Sequence, residues 1–199
     1  MKIVCLDLEG VLVPEIWIAF AQKTGIEFFK KTTRDEPDYD VLMKERIDEL
    51  KKHSLRLKDI QNVINTIEPL PGAVEFVRNV REKYPLIILS DTFTEFALPL
   101  MKKLSLPTLF CNSLLTDSDG FVKSHVMRID NGKKKAVDCF HQLNYKVFAA
   151  GDSYNDLQMI RNADYGALFC PPDNIIKENP DLRIARDYDK LFEYINDGE

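Results

Sequence analysis

A doubly wound α/β fold, a parallel sheet with helices on both faces, is predicted by three features of the sequence. Three short apolar runs each end at a carboxylate, helical patterns lie between them, and a wholly helical stretch interrupts the alternation after the first run. Strands that are apolar on both faces suit a parallel sheet with no solvated side. Regular alternation of such strands with helices is the signature of an α/β core.

The first run is Ile3 to Leu8, with Asp7 near its end. Leu86 to Leu89, leading into Ser90 and Asp91, and Val147 to Ala150, leading into Gly151 and Asp152, repeat the design. Helices are expected over Ala73 to Lys83, Thr94 to Lys103, Lys134 to Gln142 and Tyr154 to Asn162, and a further strand over Tyr165 to Phe169. Leu114 to Val126, with Asp119 and Gly120 at its centre, reads as a hairpin.

Residues 13–70 depart from this alternation. Trp17, Ile18, Phe20 and Ala21 open one helical pattern, Val41, Leu42, Ile47 and Leu50 line a second, and Ile60, Val63, Ile64 and Ile67 a third. This segment is expected to form a small helical cap inserted after the first strand, with residues 1–12 and 71–199 forming the core. Pro69, Pro71 and Gly72 mark the return.

With 199 residues, 45% hydrophobic and 30% charged, the chain has the balance of an ordinary globular protein. Its net charge of -5 opposes general attraction to nucleic acid, which draws on clustered Lys and Arg. No apolar run reaches membrane-spanning length and the N-terminal stretch is not signal-like, so a cytoplasmic protein is expected. The four cysteines have no metal-ligand spacing and are expected as reduced core residues. The three histidines are expected in surface or packing roles.

In an open parallel sheet, ligands bind beyond the carboxyl ends of the strands. That rule gathers Asp7, Glu9 and Gly10, then Ser90, Asp91 and Thr92, then Asp152, Asn155 and Asp156 around one crevice. Carboxylates so crowded repel one another unless a cation neutralises them. Mg²⁺, a hard ion that favours one or two carboxylates plus waters and phosphate oxygens, is the expected resident, with Asp7 and Asp152 as ligands.

These clusters resemble the haloacid dehalogenase superfamily, whose phosphatases carry Asp-x-Asp-Gly-Thr/Val, a Ser or Thr, a Lys, and Gly-Asp-x-x-x-Asp in that order. Here the matching residues are Asp7 to Val11, Ser90, Lys133 and Gly151 to Asp156. The resemblance implies that Asp7 is a nucleophile carrying the phosphoryl group, assisted by Mg²⁺, Ser90 and Lys133. Glu9 stands where these phosphatases usually have a second Asp. It is implied to protonate the leaving oxygen and activate the acceptor, and to lend its main-chain carbonyl to the metal. Asp156 is implied to hold a metal-bound water or to orient Lys133, and Asn155 to contact phosphate.

The position of the insertion resembles the branch that includes phosphoserine phosphatases. Glu15 and Arg46 match by position the pair that grips the amino acid there, a carboxylate for its ammonium and a planar fork for its carboxylate. Tyr39 is placed to wall off the pocket. Glu9 and Asp91 favour the bifunctional phosphoserine phosphatase/homoserine phosphotransferases, which implies phosphoserine as donor and homoserine as a second acceptor, and Ser90 and Asp91 are expected among the substrate-binding residues. Alternatives are a phosphatase for a sugar or nucleotide phosphate, and a catalytically silent member that binds a partner protein. For Glu15 and Arg46 the alternative is a structural salt bridge or a solvated helix face.

Overall fold

The computed structural model describes residues 1–32, 35–36 and 38–197, so positions 33, 34 and 37 of the expected cap and 198–199 of the expected core lie outside the described residues. Strand β1 is Lys2–Leu6 and β2 is Leu86–Phe93. They are followed by β3 at Thr108–Thr116, β4 at Val122–Val126, β5 at Lys146–Gly151, β6 at Tyr165–Phe169 and β7 at Arg183–Ala185. The sheet order is β4-β3-β2-β1-β5-β6-β7. All pairings are parallel except β3 with β4, the expected hairpin.

The chain winds outward from β1 in one direction through β2 and β3, then returns to β5 on the other side of β1 and winds outward again. The order therefore reverses between β1 and β5, where Leu6 pairs with Ala150. That is the switch point at which such sheets open a crevice beyond their strand ends.

The helices of the core are α4 (Ala73–Lys83), α5 (Thr94–Lys103), α6 (Gly132–Gln142), α7 (Leu157–Asn162), α8 (Asp173–Glu178) and α9 (Tyr188–Asn196). The ranges expected for α4, α5 and β6 are those observed. The helix expected from Tyr154 begins as a single 3-10 turn, Tyr154–Asp156, before α7. Apolar residues on the two sheet faces form separate clusters, one around Val4, Leu6 and Phe148, the other around Ile3, Cys5 and Val147. The alternation of β1 between these clusters is the period of two expected of a strand buried on both sides.

Between β1 and α4 lie α1 (Ile16–Thr24), a 3-10 turn at Glu27–Lys30, α2 (Tyr39–Lys52) and α3 (Leu57–Ile64). Asp38 caps α2 by accepting from the N–H groups of Asp40 and Val41. Pro99 within α5 has no N–H to offer the Glu95 carbonyl one turn earlier. Gln61 of α3 donates to that carbonyl instead at 2.9 Å, so the break in one helix moors another. The hairpin also grips the insertion: Leu57 N–H donates to Gly120 O at 2.8 Å and His125 contacts Asp40 at 3.0 Å.

One expectation is corrected. Of the cysteines only Cys5 is buried; Cys111 is partly exposed, Cys139 and Cys170 are exposed, and all four are unpaired. Cys139 lies in α6 on the face opposite the buried Lys133 and Val137, which is why an apolar-looking neighbourhood did not bury it.

Candidate active site

The switch point brings the strand-end carboxylates together. The Asp7 N–H extends the β1–β5 ladder by donating to Ala150 O at 2.9 Å, which fixes the backbone as it leaves β1. Asp7, Asp152 and Asp156 each present a carboxylate oxygen, and these oxygens lie within 4.8 Å of one another. Two glycines make this proximity possible. A Cβ at Gly10, which has φ +74°, would collide with the Asp152 carboxylate, and one at Gly151 would collide with that of Asp156.

Lys133, in the first turn of α6, is the buried countercharge. Its ammonium lies 2.7 Å from Asp156, 3.0 Å from Asp7 and 3.7 Å from Asp91. Burial alone would push its pKa down, but Asp7, Asp156 and Asp91 more than reverse this and hold it charged. The three acids do not share the same duty. Asp156 is fully buried; besides Lys133 it accepts from the Asp152 and Ser153 N–H groups and from the Ser153 hydroxyl, each at 3.1 Å. With its oxygens so occupied it braces the loop. Asp7 has Lys133 alone, and Asp152 has no side-chain partner among the described residues.

Removal from solvent pushes the Asp7 carboxyl well above its usual range, and Asp156 adds to this while Lys133 opposes it. Burial, then Asp156 and Glu15, push Asp152 up to about 7. A buried and a partly buried carboxylate with free lone pairs and such a cost of ionisation are the donor set a hard divalent cation fits.

Glu9 points toward the insertion. Its Oε2 accepts from Ile16 N–H at 2.8 Å, and Thr92 also hydrogen bonds to it. It thus satisfies the first turn of α1, whose flanking Glu15 provides no side-chain cap. Burial, with Glu15 adding to it, raises the Glu9 carboxyl to about 7.

Across the crevice, α2 supplies Arg46, only 5% exposed. Its guanidinium lies over the Trp17 ring at 4.5 Å and donates to Lys31 O at 2.8 Å, while Nε has no partner. No carboxylate of the described residues lies within salt-bridge distance of it, so the expected alternative of a pair with Glu15 is not what the structure holds. Glu15 is exposed. Tyr39 sits edge-on to His125 with ring centroids 5.7 Å apart; burial raises its phenol above the ordinary value and Arg46 opposes the rise.

Ser90 is buried at the end of β2's apolar run and its Oγ accepts from Thr92 N–H at 3.3 Å. Asn155 donates to Asp91 at 3.0 Å. Asp7, Asp152, Asp156, Lys133, Asp91 and Asn155 thus form one connected group. Trp17 packs on Phe20, Phe29 and Phe96 and also carries Arg46 on its face. His125 takes the packing role expected of a histidine here, against Tyr39 and Phe93, and reaches Asp40. The partners Arg46 and Asp40 were not legible in the sequence. A lone aromatic or histidine has no spacing that gives such a partner away.

The chain is 55% identical over 191 residues to a phosphoserine phosphatase of Pseudomonas syringae pv. tomato, covering 96% of this chain and 81% of that protein. It is 54% identical to phosphoserine phosphatase ThrH of Pseudomonas aeruginosa, covering 96% and 93%. Among solved structures, a phospho-aspartyl intermediate analogue of phosphoserine phosphatase superposes with a TM-score of 0.79 at 22% identity, over 98% of this chain and 99% of that one, which is a likeness of fold. An apo phosphoserine phosphatase gives 0.76 at 24% identity, covering 98% and 99%. The profile of haloacid dehalogenase-like hydrolases matches residues 1–164, and the chain belongs to that family.

Proposed function

We propose that this protein hydrolyses phosphoserine through an aspartyl-phosphate on Asp7 and also passes the phosphoryl group to homoserine. The observation that carries the substrate assignment is Arg46, a buried guanidinium with an orphaned Nε and no carboxylate partner among the described residues. A buried donor so placed calls for a ligand acceptor, and a planar fork suits an amino acid carboxylate. The charge of the exposed Glu15 acts on Arg46 and Asp152, which supports a carboxylate partner for the ammonium of the same substrate. The names of the two relatives that share over half their sequence with this chain support the same donor.

In the first displacement an Asp7 oxygen attacks phosphorus as the bond to the serine oxygen breaks. Glu9, whose carboxyl is raised to about 7, holds a proton near neutral pH and gives it to the leaving oxygen. In the second, the Glu9 carboxylate takes a proton from water or from the homoserine hydroxyl, that oxygen attacks phosphorus, and Asp7 is released. Lys133 offsets charge on Asp7 and on the phosphoryl oxygens, and the Ser90 hydroxyl donates to them. Mg²⁺ held by Asp7, Asp152 and the Glu9 main-chain carbonyl would supply neutralisation of the phosphoryl charge. Asp156 keeps Lys133 and the loop after β5 in place.

Residues 13–70 act as the cap in this reading and residues 1–12 and 71–199 as the core. The cap carries the amino acid contacts Glu15, Tyr39 and Arg46, and the core carries the phosphoryl chemistry. The unpaired cysteines support a cytoplasmic setting, and among the described residues no helix is long and apolar enough to cross a membrane.

A panel of phosphomonoesters assayed with Mg²⁺, with and without homoserine, tests the proposal. Phosphoserine should turn over much faster than sugar phosphates, and homoserine should divert part of the product to phosphohomoserine. Equal rates across the panel would refute the donor assignment, and serine plus inorganic phosphate alone would refute the transfer.

A further inference from the structure

Asp91 differs from the other acids around Lys133. Asp7 and Asp156 contact the ammonium at 3.0 and 2.7 Å with side chains 7% and 0% exposed, whereas Asp91 does so at 3.7 Å and its side chain is 48% exposed. The same Oδ2 accepts from Asn155 Nδ2 at 3.0 Å. Asn155 Oδ1 lies against the Ser153 hydroxyl, whose one proton is shared between it and Asp156, and the amide NH₂ faces Asp91. One carboxylate oxygen therefore engages a cation and an amide donor from two different segments, Lys133 in the first turn of α6 and Asn155 after β5.

Ammonium and amide donors converging on one oxygen are the same donors a phosphoryl oxygen requires. Resting on the phosphotransfer reading above, we propose that Asp91 is a positioning residue that competes with phosphate for Lys133 and Asn155, and so weakens the grip of the crevice on inorganic phosphate. The exchange is inexpensive because Asp91 is the longest and wettest of the three contacts, so water readily solvates it when a phosphoryl oxygen takes its place. Return of the carboxylate to the two donors then assists departure of the product. The buried Asp7 and Asp156 have no such freedom.

Calorimetric titration of the Mg²⁺-loaded protein with inorganic phosphate tests this, comparing the native chain with Asp91→Asn and Asp91→Gly. Removing one negative charge this close to a bound anion should tighten phosphate binding about five- to tenfold in both variants, with a matching fall in the inhibition constant of phosphate during turnover. A purely structural role would give unchanged or weaker binding. Unchanged or weaker affinity in both folded variants would overturn the inference alone, whereas failure of every form to bind phosphate would overturn the phosphotransfer reading and the inference with it. Asp91→Gly guards against an asparagine that still occupies the donors by accepting through its own amide oxygen.

Discussion

The Lys133 ammonium lies 3.0 Å from the Asp7 carboxylate, in a pocket where both side chains are only 7% exposed. A buried pair of this kind is weak evidence of a stability role, since desolvation of both charges offsets much of their attraction. It has a clear use in catalysis, because the cation is fixed beside the atom that will carry a phosphoryl group and needs no reorganisation when charge arrives.

Lys133→Ala should therefore lower kcat by about 10²–10³-fold, the usual cost of losing one preorganised electrostatic contact. Steady-state rates on phosphoserine check this. Loss of less than tenfold would remove Lys133 from the catalytic group.

Arg46→Ala should reduce kcat/KM for phosphoserine by about 10²-fold, the loss of charged hydrogen bonds to a carboxylate, and leave turnover of p-nitrophenyl phosphate within a few-fold. Lysine should rescue poorly, since the fork and its place over Trp17 at 4.5 Å are specific to a guanidinium. A uniform loss on both substrates would mean that Arg46 supports the fold rather than the substrate.

Gly10→Ala tests the geometry of the carboxylate cluster. The residue has φ +74° and its missing Cβ leaves room for Asp152. The left-handed backbone should cost about 1–2 kcal/mol, and the added methyl should displace Asp152 and weaken Mg²⁺ binding measured by direct titration. Native Mg²⁺ affinity in this variant would show that Asp152 is not held where the metal needs it.

Much of this arrangement was legible in the sequence because it depends on local pattern. Asp7, Ser90 and Asp152 each close an apolar strand, and the rule for open parallel sheets brings such ends together. The insertion was visible through the period of Ile60, Val63, Ile64 and Ile67, and α4 and α5 through theirs. The last strand, Arg183–Ala185, and the short α8 went unseen because three or six residues carry too little periodicity to register. The Trp17–Arg46 stack and the His125–Asp40 contact are tertiary: each joins segments whose relative placement no single-chain period encodes. Gln61 on the Glu95 carbonyl, left open by Pro99, is of the same kind.

Asp164 gives a pH signature of stability away from the crevice. Partial burial would raise its carboxyl, but hydrogen bonds from Lys146, the Val147 N–H and His141 outweigh this and hold it at about 2, below the ordinary 3.8. A depressed value stabilises the folded state fully above the ordinary pKa and loses that contribution as pH falls through about 2. Asp164→Asn should cost about 1 kcal/mol at neutral pH after allowance for solvent screening. The gap between the two denaturation midpoints should close between about pH 4 and 2. A gap that persists at the acid end would assign the effect to packing.

The central claim is that Asp7 carries the phosphoryl group. Isotopically labelled phosphoserine, mixed with enzyme and Mg²⁺ and quenched in acid within one turnover, should leave hydroxylamine-sensitive label on the peptide containing Asp7. Label on Ser90 or another side chain, or full phosphate release with no labelled protein at any quench time, would contradict the account.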